Sequence, residues 1–395
     1  MEAAAVLTIV CGAPQAARGA VYSLEPELSV TETYDDNVNR SDEDPEHDFV
    51  TSVRAGMSAT ATTPRFRSAA SYALGTEFFA RETEEDGHLQ HDASLSALYD
   101  VSQQFSLRVA DTLRVADTSE PEAARAVPLP EGQVPPPPSA QAPGTTSTRR
   151  VRQVANTLVA GVDYRYSAFT TLGAEYSLAV QRYDAPDFTD SNTHSGLFQA
   201  SRAVGRNDSL GLSASAAWTE ITNRAGDEQW FYDTRGTWRH SFTEWTALST
   251  SVGVAWTDEP GIDPGLVGDA SITHISDRNR YLAEYEGSFR ASNESGEAVR
   301  SDRVAVSLAR DLSPYVTGEL GAAAVRNETL RGERDTAYSY SVTARLTGRI
   351  ARWLDWVLGY TFERNDAEAP QNDFTNNRVT AGVTIRFPPA TSRQL

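Results

Sequence analysis

Residues 376–387 read NNRVTAGVTIRF, and this stretch shows the residue pattern from which the fold is predicted. Every second residue from Val379 to Phe387 is apolar, and the residues between them, from Arg378 to Arg386, are polar or glycine. A period of two predicts a strand with one apolar face and one polar face. A soluble sandwich would use the same pattern, so the rest of the chain must decide which solvent each face meets.

The alternation recurs along the whole chain, for example in residues 171–180, 209–218, 338–350 and 354–362. Each segment is about ten residues or longer. A strand in a globular protein is typically about 5–6 residues long, whereas a tilted strand that crosses a membrane needs about 9–11. The length therefore favours strands that span a membrane.

The connections between these segments alternate in length. The short ones are 63–66, 102–105, 167–170, 205–208, 241–244, 276–279, 311–314 and 351–355. The long ones are 36–47, 82–90, 119–150, 185–190, 223–228, 258–265, 293–298, 327–334 and 366–375. Eight short and nine long connections join eighteen strands, and one missed hairpin would give sixteen. The pattern predicts an all-β fold, a single transmembrane antiparallel up-and-down barrel with short periplasmic turns and longer extracellular loops. Both termini would then lie in the periplasm.

Composition excludes some functions. The formal charge is −19, from 54 acidic and 35 basic residues, and this argues against a nucleic-acid partner, which would need a basic surface. No run of 18 apolar residues occurs, so no transmembrane helix is expected.

The domain organisation is simple. Residues 1–20 resemble a signal peptide, with the apolar run AAAVLTIVCGA at 3–13, and the only cysteine, Cys11, lies inside this run. Residues 21–387 would form the barrel, and 388–395 a short C-terminal tail. The mature chain would hold no disulfide and no thiolate metal site. The proline-rich connection 119–150 is either an external loop or a lid over the lumen.

Aromatic residues mark both ends of the predicted strands, as expected for the two interfaces of an outer membrane. The belt candidates are Trp218, Trp230, Trp245, Trp256, Trp353, Trp356 and Phe387.

The polar face of the strands would line the lumen, with charges of both signs interleaved. The lumen candidates are Arg54, Arg108, Arg165, Arg235, Arg239, Arg290, Arg345, Arg349, Arg378, Arg386, Glu77, Asp163, Glu175, Asp233, Glu284 and Glu319. Such a wall is either simply solvated and salt-bridged or a path for a large, weakly charged solute such as a glycan. No cofactor and no metal ligand set is predicted.

Catalysis has little support in the sequence. The six histidines form none of the known catalytic motifs, and only His91 and His194 are placed where a barrel enzyme would carry a site. We therefore expect no catalytic residue and no enzyme. The acidic first loop, DDNVNRSDEDPEHD at 35–48, is expected to be solvated, with Ca²⁺ binding or divalent bridging to lipopolysaccharide as the alternative.

Two segments, LEPELSVTETYDDNVNR at 24–40 and NNRVTAGVTIRF at 376–387, resemble a β-barrel porin family of Gram-negative bacteria. That family includes outer-membrane proteins encoded beside exopolysaccharide and exosortase loci. The resemblance implies an outer-membrane barrel in contact with lipid and lipopolysaccharide. For some members it implies polysaccharide export with a periplasmic export protein. The first hypothesis is accordingly a conduit for exopolysaccharide. The alternative is a passive porin for small solutes, and a cytochrome sheath or an enzyme ranks behind both.

Overall fold

The computed structural model describes residues 21–81, 88–117, 151–185, 188–222, 228–291, 297–330, 336–367 and 373–393. The strands are β1 Val21–Asp35, β2 Asp48–Thr62, β3 Phe66–Phe79, β4 Leu89–Asp100, β5 Phe105–Asp117, β6 Arg152–Arg165, β7 Thr170–Tyr183, β8 Ser191–Ala203, β9 Asp208–Ile221, β10 Glu228–Ser241, β11 Thr246–Thr257, β12 Gly265–Ile275, β13 Asn279–Ala291, β14 Ala298–Ser313, β15 Val316–Thr329, β16 Thr336–Ala351, β17 Leu354–Ala367, β18 Phe374–Arg386 and β19 Ala390–Arg393. The described residues contain no helix, and hence none that is long and apolar enough to cross a membrane.

The sheet closes on itself. Each strand from β1 to β18 pairs antiparallel with the next, and β18 returns to pair with β1 from Glu27↔Arg386 to Asp35↔Arg378. The predicted all-β, eighteen-stranded antiparallel barrel is therefore confirmed. Closure leaves no strand of the barrel with an unpaired edge, which is what a sheet needs if hydrocarbon surrounds it.

The last residues extend the closing strand. After Phe387, whose backbone N donates to the Pro26 carbonyl at 3.0 Å, two prolines interrupt the ladder. Proline has no N–H to donate, so the pairing stops there and resumes in β19, which pairs with Val21–Leu24 of β1. The segment predicted as a tail therefore adds a short strand that pairs with β1 beyond the end of β18.

Several short connections share one local device. The hydroxyl oxygens of Ser102, Ser167 and Thr243 each accept two backbone N–H groups, from the residues two and three positions later, at 3.0–3.2 Å. Thr63 does the same at 2.9–3.4 Å. A side-chain oxygen at the first turn position satisfies the backbone donors that the ladder leaves free. The sequence thus fixes tight turns at one end of the barrel.

Two predicted elements, the signal peptide at 1–20 and the proline-rich connection at 119–150, lie outside the described residues.

Candidate functional site

The strand register divides the sheet into two faces, because directly paired residues share a face. We call the face with Arg378, Thr380 and Thr384 the polar face, and the opposite face, with Val379 and Val383, the apolar face. Val379 and Val383 are 45% and 43% exposed, so the apolar face is uncovered in the isolated chain. Following the pairs around the ring places all sixteen charged candidates on the polar face.

Arg108 joins three strands on the polar face. Its guanidinium contacts Asp163 of β6 and reaches Glu175 of β7 at 2.7 Å. Gly161 lies between them on β6, and a Cβ at this position would come within 2.7 Å of the Arg108 Nε. The absent side chain lets the arginine lie flat along the wall, so three of the predicted residues form one ion-pair cluster.

Arg235 repeats this arrangement five strands further along the ring. Its guanidinium bonds Asp233 of the same strand at 2.7 Å and crosses β11 to contact Asp269 of β12. Gly253 lies beneath the crossing, where a Cβ would be 2.8 Å from the Arg235 Cγ and 1.9 Å from a backbone oxygen. Asp269 also accepts a hydrogen bond from Ser251 at 2.7 Å. Asp269 is not among the lumen candidates predicted from the sequence.

The polar face of β16–β18, which we call the charged seam, carries further pairs. Arg349 and Arg386 both bond Asp355, at 3.1 and 2.7 Å, and Arg378 bonds Glu363 at 3.0 Å. Elsewhere on this face Arg54 bonds Asp92 at 2.8 Å, Glu284 pairs with Arg303, and Arg290 bonds Asn327 at 3.2 Å. Asp355 and Glu363 are the acids that organise the charged seam, and the alternation in the sequence places both on the lumen face.

The remaining polar-face candidates are Glu77, Glu319, Arg165, Arg239 and Arg345. Glu77 accepts a long bond from Ser52 at 3.5 Å. Arg345 and Glu319 face each other in the register without an ion pair. Within the described ranges, Arg165 and Arg239 also have no ion-pair partner.

The first long connection, residues 36–47, folds onto the polar face instead of standing free in solvent. Val38 packs against Val50 and Phe79, which are polar-face positions of β2 and β3. Arg40, with φ of 52°, reaches Glu363 at 3.5 Å and lies 5.4 Å from the centre of the Phe374 ring. The expectation of a solvated loop therefore fails for its first half, because the apolar and basic residues of this half find buried partners.

Contacts with the last strand hold this connection in place. The Asn37 side chain donates to the Thr375 carbonyl at 2.9 Å, and the Asn376 side chain donates to the Asn37 carbonyl at 3.2 Å. The Asn377 backbone and side chain both donate to Asp36, at 2.6 and 2.8 Å. The two segments that carry the family resemblance are thus neighbours where β18 pairs with β1. Sequence reasoning missed this contact, although DDNVNR and NNR both contain the asparagines that make it.

The wall opposite the charged seam has a different character. The ring contains eighteen strands, so β8 lies nine strands from β17 and faces it across the barrel. The polar faces of β8 and β9 contain no charged residue, and we call them the hydroxyl wall. Their hydroxyl residues are Ser191, Thr193, Ser195, Ser201, Ser209, Ser213, Ser215 and Thr219.

The aromatic candidates lie near the strand ends. Trp218, Trp230 and Trp256 are on the apolar face beside long connections, where Trp218 and Trp230 stack at 6.3 Å and Tyr232 continues the row to Trp256 at 5.5 Å. Trp245 and Trp353 lie exposed in short connections, Phe387 follows β18, and Trp356 pairs with Gly348 on the apolar face. Their location at membrane interfaces stays a prediction.

The two histidines considered for catalysis lie on the apolar face. His91 bonds the Tyr72 hydroxyl at 2.9 Å, and His194 bonds the Tyr176 hydroxyl at 2.7 Å. Each bond ties neighbouring strands together, so both residues have a structural role. In the described part of the chain, no three His, Cys, Asp or Glu residues are grouped so as to hold a metal ion.

No family model matches the chain. No curated protein matches it either. Solved outer-membrane proteins are similar to it over most of its length. Pseudomonas aeruginosa OpdQ has a TM-score of 0.47 at 10% identity, covering 93% of this chain and 98% of that chain. The outer membrane protein opdK from Pseudomonas aeruginosa gives 0.47 at 12%, covering 92% and 99%. Acinetobacter baumannii OccAB4 gives 0.44 at 11%, covering 94% and 99%.

Proposed function

We propose that this chain is an outer-membrane channel through which small polar solutes diffuse. The observation that carries the proposal is the register of the closed barrel. It places all sixteen charged candidates on one face and most of the exposed large apolar residues on the other. In a barrel of this size the inner face can enclose water, and the apolar face then meets lipid.

Paired charges suit a diffusion channel. Arginines that are already neutralised by acids, as at Arg108 and Arg235, line a wall without holding a solute tightly. A solute must leave as easily as it enters, and a wall without a deep binding pocket permits this. The proposal includes no catalytic role.

A small-solute channel is favoured over the exopolysaccharide conduit that the family resemblance implies. The first long connection lies over the polar face and is held there by the buried Arg40–Glu363 pair and by the seam asparagines. The passage of an extended polymer would be helped by a mouth that can widen at this point. A periplasmic export protein is accordingly not part of the proposal.

The proposed orientation places the short connections and both termini in the periplasm and the long connections outside, against lipopolysaccharide. Short turns at the periplasmic end are the usual arrangement of such barrels. A protease added to whole cells should cut only at the long connections, and cleavage confined to the short connections would reverse the orientation.

The test of function is reconstitution. Purified protein in planar bilayers should give stepwise ion conductance, and liposomes that contain it should swell in small sugars but not in oligosaccharides. A protein that inserts without conductance, combined with a deletion strain that loses one surface polysaccharide, would favour export instead.

A further inference from the structure

The negative charge of this chain is concentrated in the long connections of its sequence. The nine connections on the long side, 36–47, 80–88, 118–151, 184–190, 222–227, 258–264, 292–297, 330–335 and 368–373, contain 25 acidic residues and eight arginines, a net charge of −17. The eight short connections contain four arginines and two acids, a net charge of +2. The sequence therefore assigns nearly all of the total of −19 to the long connections.

The described residues show the same bias without the rest of the long side. They include twelve acidic residues and two arginines of the long connections. Eight of these acids are exposed, namely Asp42, Glu43, Asp44, Glu46, Asp184, Asp258, Asp263 and Glu297. We call these eight the acidic rim.

The structure turns one of the two described arginines of the long connections away from the rim. Arg40, the only basic residue of the first long connection, is turned to the polar face, where its side chain is 3% exposed beside Glu363. Arg81, the other described arginine of the long connections, stays exposed beside His47. Asp42, Glu43, Asp44 and Glu46 of the first long connection, by contrast with Arg40, are exposed. Folding thus separates the charges of the first long connection, because Arg40 is buried against the wall and the four exposed carboxylates lie at the mouth.

Most charges of the wall are balanced nearby. Arg108 and Arg235 are paired with acids, and the hydroxyl wall has no charge. Arg165 and Arg239, which have no ion-pair partner in the described ranges, lie at the short-connection ends of β6 and β10, away from the acidic rim. A mouth with fixed charges of one sign raises the local concentration of ions of the other sign. Charges on paired wall residues largely cancel within a few ångströms, so the rim decides which ions enter.

We propose that the acidic rim makes this channel select for cations, so that its solutes are small inorganic and organic cations and neutral molecules. The proposal rests on the proposed function, because only an open channel has a selectivity. It assigns the discrimination to one mouth and not to the wall. The selectivity for cations over anions must therefore depend on the salt concentration at that mouth.

The experiment measures the reversal potential of single channels in planar bilayers under a KCl gradient. The wild-type channel should pass K⁺ over Cl⁻ with a permeability ratio above about 3 near 0.1 M salt, because counter-ions accumulate at a like-charged mouth. The ratio should fall toward that of free diffusion at 1 M, since the Debye length shortens from about 10 Å to about 3 Å.

Matched variants locate the effect. Neutralising the tip of the first long connection with Asp42→Asn, Glu43→Gln, Asp44→Asn and Glu46→Gln should lower the ratio about twofold at low salt. The bonds of Asp44 and Glu46 that shape this connection use only their backbone atoms, so the change should leave its fold intact. The double variant Asp42→Asn, Asp44→Asn should lower the ratio by part of this amount. The control Glu244→Gln, Asp277→Asn removes the same charge from the short connections and should leave the ratio unchanged.

The outcomes separate the two proposals. Equal ratios in wild type and the fourfold variant, or a preference for anions at low salt, would overturn the selectivity proposal and leave the channel standing. If the control changes the ratio as much as its matched double variant, the assignment to one rim is wrong. Wild-type protein that inserts but never conducts would overturn the channel itself, and the selectivity with it.

Discussion

The charged seam and the hydroxyl wall face each other across the same barrel, yet they are built differently. In the seam, Glu363 lies between Arg40 and Arg378, and the side chains of all three are at most 11% exposed. In the hydroxyl wall, contacts are single bonds between neighbours, such as Ser177–Ser195 at 2.6 Å. The difference teaches that the barrel fixes its closing strands and its first connection with buried charge, and leaves the opposite wall lightly bonded.

The largest effect is expected at the centre of the seam. Glu363→Gln leaves two buried guanidinium groups without their carboxylate and should cost about 3–5 kcal/mol of unfolding free energy. The measurement is urea unfolding of the protein in lipid vesicles, followed by the heat-modifiable shift in gel mobility. Glu319→Gln is the control, because this exposed acid has no ion-pair partner in the described ranges. Equal losses of unfolding free energy in both variants would show that the charged seam contributes no more to stability than an exposed acid does.

A second prediction separates the two faces of one seam strand. Leu358→Arg puts charge on the apolar face of β17 and should cost about 2–4 kcal/mol near the middle of the membrane. Gly359→Arg, one residue along, enters the polar face, where the nearest atoms to a Cβ are 3.9 Å away, and should fold. The folded fraction after assembly compares the two. If both variants assemble equally well, the assignment of the faces is wrong.

The third prediction compares packing in the two regions. A Cβ at Gly382 in the seam would be 2.4 Å from the Thr31 side chain and 2.9 Å from the Val30 carbonyl, so Gly382→Ala should cost about 1–3 kcal/mol through overpacking. A Cβ at Gly211 in the hydroxyl wall would have its nearest contact at 3.2 Å. Gly211→Ala should therefore cost less than Gly382→Ala in the same unfolding assay. A larger loss at Gly211 would contradict the comparison.

The smallest effect is expected in the hydroxyl wall. Ser195→Ala removes one hydrogen bond to Ser177 and should cost about 0.5–1.5 kcal/mol. Single-channel conductance should be unchanged, because no charge is altered. A large change in conductance would show that this wall controls the passage of ions, in conflict with the proposal that the acidic rim does so.

The barrel itself could be predicted from the sequence because its signals are local. Alternation in segments such as 354–362 fixes the faces, and the alternation of short and long connections fixes the number of strands. The sixteen charged candidates fall on one face for the same reason, since pairing in register carries the alternation from strand to strand.

The contacts among the candidates could not be predicted in the same way. Arg108 meets Glu175 only because β5, β6 and β7 align Gly161 beneath it, and that alignment depends on register. Arg40 meets Glu363 only after the ring closes, 323 residues apart in sequence. A single sequence contains the residue types for these contacts but not their long-range pairing.

The most direct test of the central claim asks whether the polar face lines the path of the ions. The chain's only cysteine is Cys11, in the predicted signal peptide, so single cysteines can report on the barrel. Thr384→Cys and Val383→Cys place thiols on the polar and apolar faces of β18. A charged, water-soluble thiol reagent added during single-channel recording should reduce the current through the Thr384→Cys channel and leave the Val383→Cys channel unchanged. Block of the Val383→Cys channel alone would contradict the account.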